Sequence, residues 1–385
     1  MSFAIPVPRP ATATTQALPN SGRITFDWRP QAASVAVVLR LTGGTREEGA
    51  AEAGHLHLLE HLLLRRTARS DPAALARRIR ALGGMVNAET GREHLALIGR
   101  APAGQAPALA GLLVECLCEP GFDATDLALE LGVVEAERTF VGHTPPQEVL
   151  VRLAWPQHPL GRLLLPADSA PVDSAALHAL WARQCVGARL QVAVVGSFDA
   201  AAVQAALAPL ARLPAGAVPA WGAPPAFVPG RYGDLHADRA TSLLWALPCT
   251  PYDRADTAGW ELTATVLEFT LAAALRDTGL AYACAVWPQL HSDAGLIAVQ
   301  VSAVPDRAAA CADAVNACLD ALAKEGPTPE MTDIAHTARS ARAALARDEL
   351  EIHARALADP SAVIDAGHAG DASRLAAGSV LQVVL

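Results

Sequence analysis

The chain has 385 residues, of which 52% are hydrophobic and 18% are charged, and its formal net charge is −9. A globular chain of this length is too long for one ordinary hydrophobic core, so two or more domains are predicted. Nucleic acid is excluded as an expected partner, because no cluster of Lys and Arg is present to track phosphates. No run of about eighteen apolar residues occurs, so a membrane is not expected as a partner either.

The start of the chain and its cysteines indicate a reducing compartment. Residues 1–15 lack the basic start and the long apolar core of a secretory signal, and their prolines disfavour a helix. We expect residues 1–20 to form an extended lead-in. The seven cysteines are scattered without a C-x-x-C pair, which predicts free thiols. The predicted location is therefore cytoplasmic.

The first half of the chain predicts alternating strands and helices. Uninterrupted apolar runs predict buried strands at residues 34–41 and 188–196. The glycines of residues 43–47 predict a turn after the first of these strands. A helix is predicted at 72–82, with Asp71 as its N-cap and a proline at its first position. Three more elements are predicted in this half: a strand at 94–100, a helix at 105–118 and a helix at 123–138.

The second half of the chain repeats this order of elements after a proline-rich segment. Residues 207–232 are rich in proline and alanine and carry little charge, which is typical of a linker. Strand, helix, strand and helix then follow, and their recurrence at similar spacing predicts a degenerate internal duplication. The four elements are predicted at 241–247, 257–275, 295–304 and 307–325.

One short motif points to metal chemistry. His57, Glu60 and His61 have the spacing of a helical zinc hydrolase site. Because residues three and four apart share a helix face, the two imidazoles can bind one metal while Glu60 accepts a proton from water. Leucines nearly surround the three side chains, so the helix should be buried and a divalent cation would offset the cost. The alternative is a solvated surface triplet, which the leucines disfavour.

A third ligand is available on the helix predicted at 123–138. A zinc hydrolase requires three protein ligands and a free coordination position. Glu130 and Glu137 are seven residues apart and project from one helix face, whereas Glu135 falls off it. Without the histidine motif, an ordinary solvated acidic face would be the default interpretation.

Four segments of the chain match one known pattern in the same order. They are GHLHLLEHLLLRRT at 54–67, LGGMVNAET at 82–90, TP at 144–145 and HPLG at 158–161. Together they resemble the pitrilysin, insulinase and mitochondrial-processing-peptidase family of inverzincin zinc metallopeptidases, in its short two-domain bacterial type. The resemblance extends over about residues 20–305.

This resemblance implies a set of site residues. The third ligand in the family is a Glu some 76 residues beyond the second histidine, and Glu137 stands 76 residues after His61. The implied ligands of one Zn²⁺ per chain are therefore His57, His61 and Glu137. Glu60 would be the general base, and Glu130 would be a catalytic carboxylate or one that orients the ligands.

The resemblance also implies a fold and a way to bind substrate. The fold is α+β, with two related domains, each a mostly antiparallel sheet with helices packed on one face. The domains are expected at 1–206, with the metal site, and at 233–385, without one, joined by the linker at 207–232. In relatives, the strand that carries Asn87 and Ala88 is an exposed edge that pairs with the substrate peptide. The alternative for Asn87 is a turn residue before a strand.

The second half resembles the family at LRDTGLAY, residues 275–282. Relatives carry here an Arg and a Tyr that reach the substrate carbonyl, which implies Arg276 and Tyr282 as donors to a developing oxyanion. The chain departs from the pattern, because these residues are six apart where seven is usual. The glycine-rich segment before the helix is also replaced, by LEFT at 267–270. The alternative is a structural arginine and a core tyrosine.

Together these implications predict a zinc-dependent endopeptidase that cleaves flexible peptides, in a processing or peptide-clearance role. The chain would close a chamber by forming a homodimer, or a heterodimer with a homologous subunit. The alternative is a non-catalytic or partner-dependent scaffold subunit of a heterodimeric processing peptidase. Such subunits usually lose zinc ligands, whereas this chain keeps all three implied ligands and the general base.

Overall fold

The computed structural model divides the chain into two compact units that are not continuous in sequence. It describes residues 13–141, 144–166, 170–233, 242–251, 254–359 and 380–385. The first unit comprises Met1–Gly142, Leu164–Ala220 and Ala344–Ala362, and the second comprises His143–Leu163, Trp221–Ala343 and Val363–Leu385. The domain limits expected from the sequence, 1–206 and 233–385, stay a prediction.

The described residues of each unit form one sheet. The strands of the first sheet are β1 Thr14–Ala17, β2 Arg23–Trp28, β3 Ser34–Thr42, β4 Met85–Thr90, β5 His94–Pro102 and β6 Leu190–Gly196. Those of the second sheet are β7 Gly230–Tyr232, β8 Ser242–Cys249, β9 Ala283–Leu290, β10 Gly295–Ser302 and β11 Leu381–Val384. One pair in each sheet is parallel, β2 with β6 and β7 with β11, and the other pairs are antiparallel.

The described helices are named in chain order. They are α1 His55–Leu63, α2 Pro72–Ala81, α3 Ala106–Cys118, α4 Ala124–Val141, α5 Pro146–Ala154, α6 Ser174–Gln184, α7 Ala200–Leu207, α8 Arg254–Asp277, α9 Ala308–Glu325, α10 Pro329–Asp348 and α11 Leu350–Ala358. None of them is both long and apolar enough to cross a membrane.

The two sheets have the same strand order. The first runs β1-β2-β6-β3-β5-β4 and the second runs β7-β11-β8-β10-β9, so they match once β1 is set aside. The predicted internal duplication is therefore present in the topology, as is the predicted α+β fold of two mostly antiparallel domains. Strand β9 was not predicted, and Thr241, which the sequence assigned to a strand, lies outside the described residues.

Strand β3 shows why the sequence specifies a buried sheet. Val37 and Leu39 point into the main core, where α1 and α3 supply leucines. Ala36 and Val38 point to the opposite face and are also buried, in a second cluster. A strand covered on both faces is apolar at consecutive positions rather than at alternate ones, which is the pattern of residues 34–41.

A helix covers the second face of each sheet, whereas helices were expected on one face only. Helix α11 packs Leu350, Ala354 and Ala358 against β3, β5 and β6 of the first sheet. Helix α5 packs Leu150 and Ala154 against the strands of the second sheet. Each cover helix therefore comes from the sequence half opposite to the sheet that it covers.

The predicted linker at 207–232 is partly structured. Leu207 and Leu210 are buried in the core of the first unit, and Asn20 donates to the carbonyl oxygen of Leu210 at 2.8 Å. At the other end, Gly230–Tyr232 forms β7 and pairs with β11. Proline and alanine content indicates a loop, but it does not reveal which of the residues in the loop are held by tertiary contacts.

Helix α11 is held to the first sheet by a buried ionic cluster. Asp27 on β2 is 1% exposed, and its Oδ2 lies 3.0 Å from Nε2 of His353 and 2.8 Å from Nη2 of Arg29. Burial raises the pKa of Asp27, but hydrogen bonds from His353 and Arg29 outweigh it and lower the pKa below 3.8. The ionised carboxylate therefore favours the folded state.

We expect Asp27→Asn to lower the free energy of unfolding by about 1–3 kcal/mol at pH 7, because Arg29 and His353 lose a charged acceptor. Since the pKa of Asp27 is lower in the folded state, its contribution is complete above about pH 4. It is lost as the pH falls through the folded-state pKa. Urea unfolding at a series of pH values measures this. Asp320→Asn, at an exposed position of α9, is the control, and a constant difference between Asp27→Asn and wild type down to pH 2 would contradict the assignment.

Candidate metal centre

Helix α1 presents its histidines because its leucines fix its rotation. Leu56, Leu59, Leu62 and Leu63 are fully buried in the core of the first unit. His57 and His61 therefore project from the remaining face, where both are partly exposed. The rest of the helix surface is nearly apolar. Any other rotation of the helix would therefore bury a polar side chain in place of a leucine.

The start of α1 is fixed by a residue that the sequence analysis missed. Gly54 precedes the helix with a φ of 84°, a left-handed conformation that glycine adopts without strain. Glu48 accepts the backbone N–H groups of Gly54 and Leu56, at 3.2 Å and 2.6 Å. The carboxylate thus satisfies free donors at the positive end of the helix. An acidic residue shortly before a predicted helix was the only available signal.

Three predicted site residues meet at one point. Nε2 of His57 and Nε2 of His61 each lie 3.6 Å from Oε2 of Glu137 on α4. One ligand atom from each of the three residues lies within 4.8 Å of the other two. No second group of this kind occurs in the part of the chain that the structure describes.

The donor set fits zinc. Two imidazole nitrogens and one carboxylate oxygen are typical ligands of a catalytic zinc site. Ligand atoms about 2.0–2.2 Å from a four-coordinate zinc stand roughly 3.3–3.6 Å apart, which is close to the spacing between each imidazole and Glu137. The Glu137 side chain is 45% exposed, so one side of the group remains open to solvent.

His57 is held in the form that a metal requires. Burial lowers the pKa of His57, and the charge on His61 adds to this, although Glu60 and Glu137 raise the pKa in part. The net lowering keeps the imidazole neutral near pH 7, with a nitrogen lone pair available for a cation. Nδ1 of His57 is buried without a hydrogen-bond partner among the described residues.

Glu130 is the hydrogen-bond partner of the second histidine. Its Oε2 lies 3.1 Å from Nδ1 of His61, and its side chain is 9% exposed. A carboxylate on Nδ1 fixes the tautomer in which Nε2 carries the lone pair, and that nitrogen faces Glu137. Oε1 of Glu130 in turn lies 3.3 Å from Arg65, which also contacts Asp126. Arg65 and Asp126 belong to the site, and no spacing rule in the sequence indicated them.

The strand with Asn87 and Ala88 lies beside this helix. Strand β4 is the last strand of the first sheet, pairs with β5, and packs against α1. Ala88 is 6% exposed and points into the core, whereas Asn87 is exposed. Asn87 lies within a strand of the sheet, so the alternative of a turn residue before a strand does not apply.

Arg276 and Tyr282 lie in the second unit. Arg276 is near the end of α8 and Tyr282 directly precedes β9. Tyr282 is 96% exposed, which excludes the alternative of a core tyrosine. Both residues line one cavity of about 310 Å³, together with Glu268 and Phe269 of the segment that replaces the glycine-rich one. Their role in chemistry stays a prediction.

The cysteines offer no competing centre. All seven are described, and none forms a disulfide. Burial raises the pKa of Cys116 and of Cys118 to about 12, so neither thiol is a nucleophile near neutral pH.

Two family models match most of the chain. Residues 23–168 match the model described as Insulinase (Peptidase family M16), and residues 171–338 match the Peptidase M16 inactive domain. The chain belongs to the peptidase M16 family. The inactive-domain match falls in the part of the M16 chain whose described residues contain no metal-binding group.

Curated relatives match over less than half of this M16 chain. An uncharacterized zinc protease of Mycobacterium bovis is 28% identical over 187 residues, which is 47% of this chain and 43% of the relative. The probable mitochondrial-processing peptidase subunit beta of Schizosaccharomyces pombe is 29% identical over 159 residues, or 40% of this chain and 35% of the relative. The chain thus matches less than half the length of these relatives.

Solved structures share the complete fold. A peptidase M16 inactive domain from Pseudomonas fluorescens superimposes with a TM-score of 0.80 at 18% identity, with 97% of each chain covered. A protease from Helicobacter pylori gives a TM-score of 0.82 at 15% identity, over 97% of this chain and 99% of that one. At such identities the likeness establishes the fold alone.

We expect Glu130→Gln to weaken zinc binding by roughly tenfold, because His61 loses the charged acceptor that sets its tautomer. Competition with a chromophoric chelator measures the affinity. Glu135→Gln is the matched control, since Glu135 lies on the same helix and is exposed, and its carboxylate is paired with Arg138. Equal affinity of Glu130→Gln and wild type would show that Glu130 does not orient the ligand.

Proposed function

We propose that the chain is a zinc-dependent endopeptidase that cleaves flexible peptides. The observation that carries the proposal is the convergence of His57, His61 and Glu137 on one open point. The names of the curated relatives support it, because they include zinc proteases. His57, His61 and Glu137 would bind one Zn²⁺ per chain.

The zinc ion, Glu60 and Glu130 would each have a separate role in peptide hydrolysis. When bound, Zn²⁺ supplies Lewis-acid activation of the water and of the scissile carbonyl. Glu60 stands next to His61 on α1, and its negative charge opposes the lowering of the His57 pKa. As general base, Glu60 takes a proton from the attacking water and then donates it to the leaving amine. Glu130 keeps His61 oriented throughout.

The substrate would bind as an added strand. Strand β4 offers the backbone around Asn87 and Ala88 to an extended peptide, whose main chain pairs in the manner of β-strand addition. Main-chain pairing tolerates many sequences but requires an unfolded, flexible segment. Arg276 and Tyr282 would donate hydrogen bonds to the oxyanion that develops on the scissile carbonyl.

We further propose that the protein works as a dimer that closes a chamber around the peptide. The partner would be a second copy or a homologous subunit. Support comes from the mitochondrial-processing-peptidase relatives, which are named as beta subunits. A leader-processing or peptide-clearance role in the cytoplasm would suit such an enzyme.

The central test is Glu60→Gln. We expect this variant to retain about one zinc per chain and to lose most peptide cleavage, because Glu60 moves protons and is not a ligand. His57→Ala, His61→Ala and Glu137→Ala should instead lose the zinc. Metal analysis and the cleavage of flexible peptides of some tens of residues measure the two effects.

Glu135→Gln controls for the loss of an acidic side chain near the site, and a folded protein controls for the substrate. Wild-type turnover by Glu60→Gln would refute the assigned base. Digestion of the folded protein at the same rate as the peptides would refute binding by strand addition.

A second prediction concerns Tyr282. If its hydroxyl donates to the oxyanion, Tyr282→Phe should lower turnover on the order of 10²-fold. Because the side chain is 96% exposed, zinc content and the free energy of unfolding should stay as in wild type. Tyr232→Phe, at another exposed tyrosine, is the matched control. Equal turnover of Tyr282→Phe and wild type would mean that a partner subunit supplies this donor.

A further inference from the structure

Strand β4 is an edge strand that hydrogen bonds hold from one side. It pairs with β5 over six positions, from Met85 opposite Arg100 to Thr90 opposite Leu95. Along its other side, no strand follows among the described residues. Edge strands fray more easily than central ones, and a frayed edge cannot align its free N–H and C=O groups with a peptide. Peptide addition therefore requires some other restraint on β4.

The two faces of β4 are held differently. Ala88 points into the main core on the side of α1. Glu89, the next residue, points to the opposite face because side chains alternate along a strand. On that face α11 covers the central strands with Leu350, Ala354 and Ala358. Its apolar contacts do not include β4, so the contact between α11 and β4 is polar.

That polar contact is an ion pair. Nη1 of Arg355 on α11 lies 2.5 Å from Oε2 of Glu89, and each side chain is 34% exposed. One turn earlier on the helix, Glu351 lies 3.0 Å from Nε of Arg355 and orients the guanidinium. His94 on β5 lies 3.5 Å from Oε1 of Glu89. Burial raises the pKa of Glu89, but hydrogen bonds from His94 and Arg355 lower it to about 2, so the carboxylate is charged.

We propose that Arg355 and Glu89 are positioning residues for the peptide: their ion pair holds the substrate-pairing edge strand in place from the side opposite to the metal centre. The proposal rests on the proposed function only where it invokes substrate. Helix α11 itself is fixed independently, through the Asp27 cluster and its apolar face. It is therefore a rigid point to which β4 is tied.

The zinc site should not depend on this ion pair. Helix α1 is anchored by Leu56, Leu59 and Leu62 in the main core, and Glu130 comes from α4. Removal of the ion pair should therefore affect the alignment of β4 and leave the metal ligands in place. Substrate affinity and turnover should separate accordingly.

The test uses Arg355→Met, Glu89→Gln and the double variant. Each should raise KM for a flexible peptide roughly five-fold, with kcat and zinc content unchanged. The double variant should be no worse than either single one, because one interaction is lost in all three. Arg355→Lys should restore part of the affinity. Hydrogen exchange should be faster at those amides of 85–90 that pair with β5.

Arg69→Met is the matched control. It removes an arginine of the same unit whose Nε lies 2.6 Å from Glu119, away from β4. This variant should leave KM and exchange at 85–90 unchanged. If wild type cleaves peptides and the Arg355 and Glu89 variants have wild-type KM, the proposal is overturned, even where exchange is faster. If wild type cleaves no peptide, the proposed function fails. Unchanged hydrogen exchange at 85–90 in the Arg355 and Glu89 variants would then refute the restraint of β4 by this ion pair.

Discussion

The geometry of the candidate metal site depends on the burial of one nine-residue helix, α1. Five leucines of α1 occupy the core, so the helix has a single rotation, and the face left over carries His57 and His61. With so little length, a slip of one residue would turn the ligands away from Glu137. Glu48 at the helix start and Glu130 against His61 remove the remaining freedom, at one end of the helix and at one imidazole. Such restraint is what metal geometry requires.

The two units show how little a shared fold dictates chemistry. Both sheets follow one strand order, yet the first unit has two short helices, α1 and α2, after its strand β3. The second unit has the single long helix α8 after β8, and it carries an exposed arginine near its end instead of paired histidines. The shared fold positions helices on a sheet, whereas individual side chains determine whether a cation binds there.

The local sequence pattern predicted some of these structural features but not others. The strand at 34–42 and the cap by Asp71, which accepts the N–H of Ala74 at 2.7 Å, were readable because neighbours in sequence decide them. The face shared by Glu130 and Glu137 was readable from helical spacing, although the choice of Glu137 as ligand came from family resemblance. Arg65 and Asp126 were not readable, because their partners are some sixty residues away. The same holds for β9 and the cover helices, which depend on contacts that no local window contains.

Each cover helix comes from the half of the sequence opposite to its sheet, and this has a consequence for folding during synthesis. Every strand of the first sheet has been synthesised by residue 196, but α11, which covers its second face, begins at residue 350. Until then, the apolar face formed by Ala36, Val38 and Val195 lacks its native cover. The nascent chain must keep this face from aggregation while more than a third of the protein is still being translated. A truncation between the two halves would leave the same face bare permanently.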